Sequence, residues 1–198
     1  KARDDVYRDR ILRGTGTDGF YATKKLGAFG ADLGAVASFF DDPWRTLSPN
    51  ISEPAQPWLL NEAALCLRAL GRLTDAIQPI RAALQMAENQ KTWKKAAVGA
   101  RNLSELELTL GLVAEAVADA EQSVAFADRS TDAAQRMINR TTHANALHQA
   151  GRTDQALTLF AEAEKMQAED QPEYPRLYSL PGFRYCDLLL AEPERIPA

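Results

Sequence analysis

Three glycines recur at a fixed distance in the middle of the chain: Gly71, Gly111 and Gly151 are each 40 residues apart. The sequences around them also match, reading LGRLTDAI, LGLVAEAV and AGRTDQAL. A constant period of this length indicates stacked copies of one supersecondary unit, each burying its apolar face mainly against its neighbours. The sequence therefore predicts a repeat array rather than a single globule.

Each repeat predicts a helix, a tight turn at the glycine and a second helix. In the first unit, an i, i+3, i+4, i+7 stripe of apolar residues runs from Leu60 to Leu70, and a second stripe runs from Ala76 to Ala87. A glycine between two helices adopts positive φ without a Cβ clash. The chain also has 34 Ala among 198 residues, and Ala is the best helix former. These patterns predict an all-α fold of helix hairpins.

The prolines lie at the margins of the array. Pro79 is the only proline between Trp58 and Gln171, which suits long helices because an interior proline costs about 3 kcal/mol. The linker DDPWRTLSPNISEPAQP, at 41–57, is predicted to be an ordered or partly ordered connection and not a strand. Two helices are expected before it, and an aromatic-rich helix started or kinked by Pro181 is expected at the other end. Both flanks are predicted to cap the array.

The repeat resembles the tetratricopeptide repeat (TPR). The small residues of the TPR second helix are matched by Ala76, Ala116 and Ala156, and then by Ala83, Ser123 and Ala163. The TPR period is about 34 residues, so the longer period here predicts about three extra residues per helix, or roughly 4.5 Å. The resemblance implies a right-handed α-solenoid with capping helices.

The long repeats are similar to the C-terminal sensor arms of bacterial STAND-type signalling ATPases. The similarity rests on the segments NLSELELTLG, HANALHQAG and YPRLYSLPGFRYCDLLL. It implies a signal-sensing piece of a larger bacterial regulatory protein. The first residue is Lys1 rather than Met, which also leads us to expect a piece of a longer protein. The predicted organisation is a helical or flexible lead (1–17), capping helices and linker (18–56), three TPR-like repeats (57–96, 97–136 and 137–176), and a capping helix with a tail (177–198).

Catalytic chemistry is not predicted. Gly14, Gly16 and Gly19 match GxGxxG, but the charged, helix-like residues before them favour a flexible turn over a nucleotide site. His143 and His148 are five residues apart, so they do not face one metal on a helix. Cys66 and Cys186 lie in apolar stripes and are predicted to be buried, unreactive thiols. We expect no catalytic residue, no metal and no cofactor.

Charge and hydropathy indicate which classes of partner are not expected. A net charge of −4 gives no electrostatic reason to expect binding to nucleic acid. No apolar run in the sequence is long enough to span a membrane. Two cysteines do not make a disulfide framework, which favours a reducing, cytoplasmic compartment. The chain is predicted to be a monomer.

The function that the sequence still favours is the binding of a partner molecule. The TPR resemblance implies that first-helix residues line a concave groove for a protein or peptide ligand, with other domains of the parent chain as further partners. The predicted groove residues are Trp58, Asn61, Leu65 and Arg68, then Val98, Arg101, Asn102, Glu105 and Thr109, then Ile138, Thr141, Asn145, His148 and Gln149. Asn side chains both donate and accept hydrogen bonds, and Arg68 and Arg101 are suited to bidentate carboxylate binding.

The sequence leaves other interpretations open. The polar residues of each first helix are also consistent with simple solvation of that helix. An enclosed, aromatic-lined pocket would favour a small-molecule effector site, and a large exposed apolar patch would favour a self-assembly scaffold. A strand before Gly14 would favour a nucleotide-binding enzyme.

Overall fold

A computed structural model describes residues 2–11 and 20–191. The predicted turn at Gly14, Gly16 and Gly19 lies outside the described residues. The chain divides into two compact units, Lys1–Met86 and Ala87–Ala198, which we call unit 1 and unit 2. The unit boundary falls within one of the long helices.

Unit 1 combines short elements with the beginning of the repeat. Its elements are a π-helix (Ala2–Ile11), helix α1 (Tyr21–Lys24), helix α2 (Phe29–Ala37), strand β1 (Phe40–Asp42), strand β2 (Thr46–Leu47), a 3-10 helix (Glu53–Ala55), helix α3 (Gln56–Ala69) and most of helix α4 (Leu73–Asn89). The two helices that were expected before the linker are α1 and α2.

Unit 2 contains two long hairpins and a final helix. Its elements are α5 (Trp93–Thr109), α6 (Val113–Ser130), α7 (Ala133–Gln149), α8 (Thr153–Asp170) and α9 (Ser179–Ala191). Helices α4 to α8 each have 17 or 18 residues. The prediction of an all-α helical-repeat solenoid is confirmed. Within the described segments, no helix is both long and apolar enough to cross a bilayer.

The linker contains a short β-hairpin, so the prediction that it holds no strand is wrong. Strands β1 and β2 pair antiparallel, with Phe40 opposite Leu47. Trp44 reverses the chain at φ 67°, and its ring lies 5.5 Å from the buried ring of Phe40. Pro43 lies in the turn, where no ladder hydrogen bond is needed. Aromatic contact therefore outweighs the polar composition of this segment.

The predicted glycine turns are present and share one geometry. Gly71, Gly111 and Gly151 have φ values of 74°, 77° and 74°. After each glycine, a backbone N–H donates to a carbonyl five residues earlier at 2.9 Å, which is the Schellman pattern of a helix end. Lys91 and Thr131 also have positive φ, so left-handed residues recur at half the glycine period. The intervening turns were not visible from the glycines alone.

The cores follow the predicted stripes. In unit 1, Leu59, Leu60 and Ala63 of α3 pack with Val36 and Phe40. In unit 2, Phe160 of α8 is fully buried, and its ring stacks on Tyr185 of α9 at 4.9 Å. The matched alanines 76, 116 and 156 are 0% exposed, as close approach of two helices requires.

Helix α9 packs through only one face. Leu188 is buried in the core of unit 2, whereas Phe183 is 72% exposed. Cys66 is buried, as predicted, but Cys186 is exposed. The prediction of a buried thiol is therefore wrong for Cys186, because the apolar stripe of α9 is wider than the face that its neighbours cover.

Candidate functional site

The predicted binding residues lie on the first helices of the hairpins, α3, α5 and α7. Three of them (Trp58, Asn61 and Arg68) belong to unit 1, and six (Arg101, Asn102, Glu105, Thr141, Asn145 and His148) belong to unit 2. Residues that are three or four positions apart lie on the same face of a helix, so the predicted residues of each helix form a stripe along it.

The unit 1 set is only partly available to a ligand. Trp58 packs against the core, with its ring 5.5 Å from the ring of Tyr7. Asn61 is exposed, Arg68 is half-buried in the last turn of α3, and Leu65 between them is 46% exposed. Trp58 therefore contributes to packing, whereas Asn61, Leu65 and Arg68 present an accessible stripe.

In unit 2, helix α9 contacts the predicted stripe on α5. Nη1 and Nη2 of Arg184 donate to Oε1 of Glu105 at 3.3 and 3.2 Å. The same guanidinium donates to the Thr142 hydroxyl of α7 at 3.4 Å. The side chains of Arg184 and Glu105 are 16% and 23% exposed, so this ion pair is largely shielded from solvent.

A second contact joins α9 to α7. Nε2 of His148 lies 3.4 Å from a carboxylate oxygen of Asp187. The other ring nitrogen of His148, Nδ1, is buried and has no hydrogen-bond partner within the described part of the chain. Glu105 and His148, two of the predicted residues, are therefore both engaged by the final helix.

Arg101 lies on α5, four residues before Glu105, and is half-buried. It forms no ion pair with the residues that the structure describes. Burial lowers the pKa of its guanidinium; the negative charge of Glu105 opposes this shift, and the positive charge of Arg184 adds to it. Arg101 is therefore close to both members of the Glu105–Arg184 pair without being paired itself.

The other predicted polar residues differ in availability. Thr141 is fully buried, and its hydroxyl donates to the Ile138 carbonyl at 2.8 Å. Asn102 and Asn145 are half-buried, and neither side-chain amide hydrogen bonds to another described residue. The two amides are free to bind a ligand, whereas the Thr141 hydroxyl is already satisfied.

Sequence reasoning missed Arg184, Asp187 and Thr142. A signal was present, since Arg184 and Asp187 are the only charged residues in the otherwise apolar segment LPGFRYCDLLL. Charged residues in such a helix need partners or solvent. Their partners were not predictable, because Glu105 is 79 residues away from Arg184 in the sequence.

Metal binding and small-molecule binding have little support in the described residues. No group of three or more His, Cys, Asp or Glu side chains there could hold a metal ion. An open depression of about 320 Å³ in unit 2 is lined in part by Glu121, His143 and Arg152. Burial lowers the pKa of His143, which favours the neutral imidazole. No described Phe, Tyr or Trp side chain lines this depression.

Comparison with known proteins identifies similar folds. No protein-family model matches the sequence, and no curated protein matches it. A crystal structure of a Podosopora anserina protein, described as a putative kinesin light chain with nearly identical TPR-like repeats, is 16% identical, with a TM-score of 0.66 over 88% of this chain and 84% of that chain. The crystal structure of a variant of that protein is also 16% identical, with a TM-score of 0.67 over 88% of this chain and 84% of that chain. At this identity the likeness shows the fold alone, which is a TPR-like helical repeat.

Proposed function

We propose that the chain is a non-enzymatic helical-repeat module that binds a peptide segment of a partner protein. The proposed binding face in unit 2 consists of Arg101, Asn102 and Glu105 of α5 with Asn145 and His148 of α7. The observation that carries the proposal is Arg101, a half-buried cation without an ion pair among the described residues. An unpaired charge in a partly desolvated place is unfavourable until an anionic group joins it.

The neighbouring amides support a peptide ligand. Asn102 and Asn145 each carry a free donor and a free acceptor, which are the groups needed to bind a peptide backbone in register. In unit 1, the exposed Asn61 and the half-buried Arg68 provide the same two side-chain types on α3. Each unit therefore offers amide and guanidinium groups on its first helix.

The wider context is part of the same proposal. The long repeats resemble sensor arms of bacterial STAND-type ATPases, so we infer a signal-sensing arm of a larger bacterial, cytoplasmic regulatory protein. Its partners would include other domains of the parent chain. The sequences that flank this chain in its gene product test this inference, since an ATPase domain there would support it.

Selection from a library of random peptides, displayed on phage, tests the binding function of the full chain. We expect recovered peptides to lose about tenfold or more in affinity when Arg101→Ala and Asn145→Ala are combined, because hydrogen bonds to a charged group and to an amide are both removed. Lys165→Ala, on an 80% exposed side chain of α8, is the matched control and should leave affinity unchanged. Equal affinity for the double variant and the control would show that the face is assigned incorrectly.

A second candidate function is self-assembly, which the outer face of α9 favours. Leu180, Phe183 and Leu190 on this helix are 51%, 72% and 59% exposed, and contiguous exposed apolar surface is typical of interfaces. Sedimentation of the full chain over a concentration series distinguishes this candidate from the predicted monomer. Self-association that Phe183→Glu abolishes would support it, whereas a monomer at all concentrations would exclude it.

A further inference from the structure

One aromatic side chain provides the buried contact of the π-helix in unit 1. Six of the ten residues in its sequence, ARDDVYRDRI, are charged, so the segment has no apolar stripe of the kind that packs a helix onto a core. Among residues 6–11, only Tyr7 is buried, at 1% exposure, whereas Val6 and Ile11 are 49% and 40% exposed. Tyr7 is therefore the anchor of this segment.

Tyr7 occupies a pocket between α2 and α3. Its ring lies 5.7 Å from the ring of Phe39 and 5.5 Å from the ring of Trp58. Its hydroxyl lies beside the carboxyl group of Asp32 on α2, and that carboxyl group also accepts a hydrogen bond from the Cys66 thiol of α3 at 3.2 Å. We call Asp32, Phe39 and Trp58 the Tyr7 pocket. It offers two aromatic rings to a phenol ring and an acid to the phenol hydroxyl.

A single buried side chain holds a segment of this length weakly. Ordering ten residues costs backbone entropy at each of them, whereas the burial of one aromatic side chain offsets only part of that cost. A charged segment with one aromatic anchor is also typical of a bound peptide rather than of a core helix. The contacts that Tyr7 makes are therefore open to exchange with a tyrosine from another chain.

We propose that the Tyr7 pocket is a binding site for a tyrosine side chain of a partner peptide, and that Tyr7 occupies it as an internal ligand in the unbound chain. The partner tyrosine displaces Tyr7 and releases the π-helix. Trp58 lies on the same face of α3 as the accessible stripe of Asn61, Leu65 and Arg68, so one peptide can contact both. This inference rests on the proposed peptide-binding function and adds the side chain that the peptide supplies.

The chemistry of the pocket favours a phenol over a cation. Aromatic rings beside an ionised acid would also suit an ammonium group. Burial, however, raises the pKa of Asp32, and it raises the pKa of the neighbouring Glu62 to about 7, which disfavours the charged acids that a cation needs. A phenol needs only a hydrogen-bond acceptor. Tyrosine should therefore bind more tightly than lysine, and also more tightly than phenylalanine, which has no hydroxyl.

Binding of the π-helix sequence as a separate peptide tests the pocket on the full chain. Tyr7→Ala empties the pocket, so this variant should bind the labelled peptide ARDDVYRDRI, as measured by fluorescence anisotropy. Phenylalanine in place of the peptide tyrosine should weaken binding about fivefold, lysine should weaken it further, and alanine should abolish it. The unsubstituted chain should bind the tyrosine peptide about tenfold more weakly than Tyr7→Ala, because its own Tyr7 competes intramolecularly.

Val6→Ala is the matched control, since Val6 is the exposed neighbour of Tyr7. It should bind the peptide as weakly as the unsubstituted chain does. Equal affinity of Tyr7→Ala and Val6→Ala for the tyrosine peptide would overturn the role of Tyr7 as an internal ligand.

The indole N–H signal of Trp58 in the NMR spectrum shows whether a ligand enters the pocket. The chain has three tryptophans, so Trp44→Phe and Trp93→Phe assign the third signal. In Tyr7→Ala, p-cresol should shift this signal saturably, and toluene, which lacks the hydroxyl, should bind about fivefold more weakly. Equal binding of the two compounds would overturn selectivity for tyrosine.

Thermal unfolding establishes whether Tyr7→Ala remains folded. If it does not, Tyr7→Phe takes its place, because it keeps the ring and loses only the hydroxyl. Its own segment is held less tightly, so it should bind the tyrosine peptide about fivefold more tightly than the unsubstituted chain. Equal binding would overturn the proposal.

The outcomes separate this inference from the function on which it rests. Library peptides selected on the full chain should be enriched in tyrosine and should bind Tyr7→Ala about tenfold more tightly. Selected peptides that bind both chains equally well would overturn the tyrosine site and leave the peptide-binding function intact. If the library yields no peptide, the proposed function fails, and the p-cresol and π-helix peptide measurements decide the pocket by themselves. A folded Tyr7→Ala protein that binds neither would overturn the site.

Discussion

Glu62 and Asp128 are carboxyl groups in opposite environments, one in each unit. Asp128, on α6 of unit 2, accepts hydrogen bonds from Arg140 at 2.9 and 3.0 Å and from Arg136 at 3.0 Å, and these bonds lower its pKa. Glu62, on α3 of unit 1, is only 7% exposed. Burial, with the nearby charge of Asp32, raises its pKa to about 7.

The difference shows that the surroundings decide how each acid affects stability. Around Glu62, one oxygen of its own carboxyl group is buried and lacks a hydrogen-bond partner among the described residues, and the hydroxyl of Tyr7 lies beside the Asp32 carboxyl group. The Cys66 thiol donates to an Asp32 oxygen at 3.2 Å. Burial raises the pKa values of Tyr7, Asp32 and Cys66 as well. Protonation therefore stabilises this cluster, whereas ionisation stabilises the contacts of Asp128.

The largest expected effect is the pH dependence of unit 1. The pKa of Glu62 rises from 4.5 to about 7 in the folded protein, so the native state binds more protons between these values. The contribution of Glu62 to stability is therefore greatest below pH 4.5, falls by about 3 kcal/mol as the pH rises to 7, and then levels off. Glu62→Gln should remove most of this slope, leaving the part that comes from Asp32.

Urea unfolding across this pH range measures the slope. In a Trp93→Phe background, the remaining tryptophans, Trp44 and Trp58, both report on unit 1. Glu121→Gln, on an exposed residue of unit 2, is the matched control. Equal slopes for Glu62→Gln and the unsubstituted protein would contradict the comparison.

The next effect concerns a buried polar group that does not titrate. The Asn139 amide of unit 2 donates to the Ser123 carbonyl at 3.1 Å and is 0% exposed. Asn139→Ala should destabilise the protein by about 2 kcal/mol, because it leaves the buried carbonyl without this donor. The loss should be the same at every pH, unlike that of Glu62. Asn145→Ala, which removes an unbonded amide, should cost less than about 0.5 kcal/mol by urea unfolding.

A smaller effect is expected at the glycine turns, which are a feature that the two units share. Gly71 in unit 1 and Gly151 in unit 2 both have φ 74°, and nothing lies within 4 Å of a Cβ built at either position. Alanine at each position should destabilise the protein by about 1 kcal/mol through backbone strain alone. Thr131→Gly, at φ 58°, should instead stabilise the protein. Thermal unfolding of the three variants gives the comparison, and clearly unequal costs for the two glycines would contradict a shared turn.

The smallest effect is expected for the ion pair of Asp128. Arg140 and Asp128 are 14% and 41% exposed, so Arg140→Ala should cost about 0.5 kcal/mol near neutral pH. Because the folded pKa of Asp128 is lowered, this contribution is present above the ordinary value of 3.8 and is lost as the pH falls through the folded pKa. Melting temperatures at neutral and acidic pH measure it. A larger effect in acid would contradict this interpretation.

The helices were predictable because their signals are local. Glycine at the turns, small residues at the helix contacts and the Asp132 N-cap, which accepts from the Gln135 N–H at 2.9 Å, each act within a few residues. The positive φ values of Lys91 and Thr131 were not predicted, because neither residue is glycine. The β-hairpin was missed because contact between Phe40 and Trp44 outweighs a polar, proline-containing composition.

The sequence by itself determined the hairpin repeat, since helix periodicity and turn chemistry are properties of neighbouring residues. It also placed Arg101, Asn102 and Glu105 on one face of α5. Only the tertiary structure decided that Arg184 joins them, because the position of α9 depends on the packing of Tyr185 and Leu188 against the rest of unit 2. A contact across 79 residues leaves no periodic trace in the sequence.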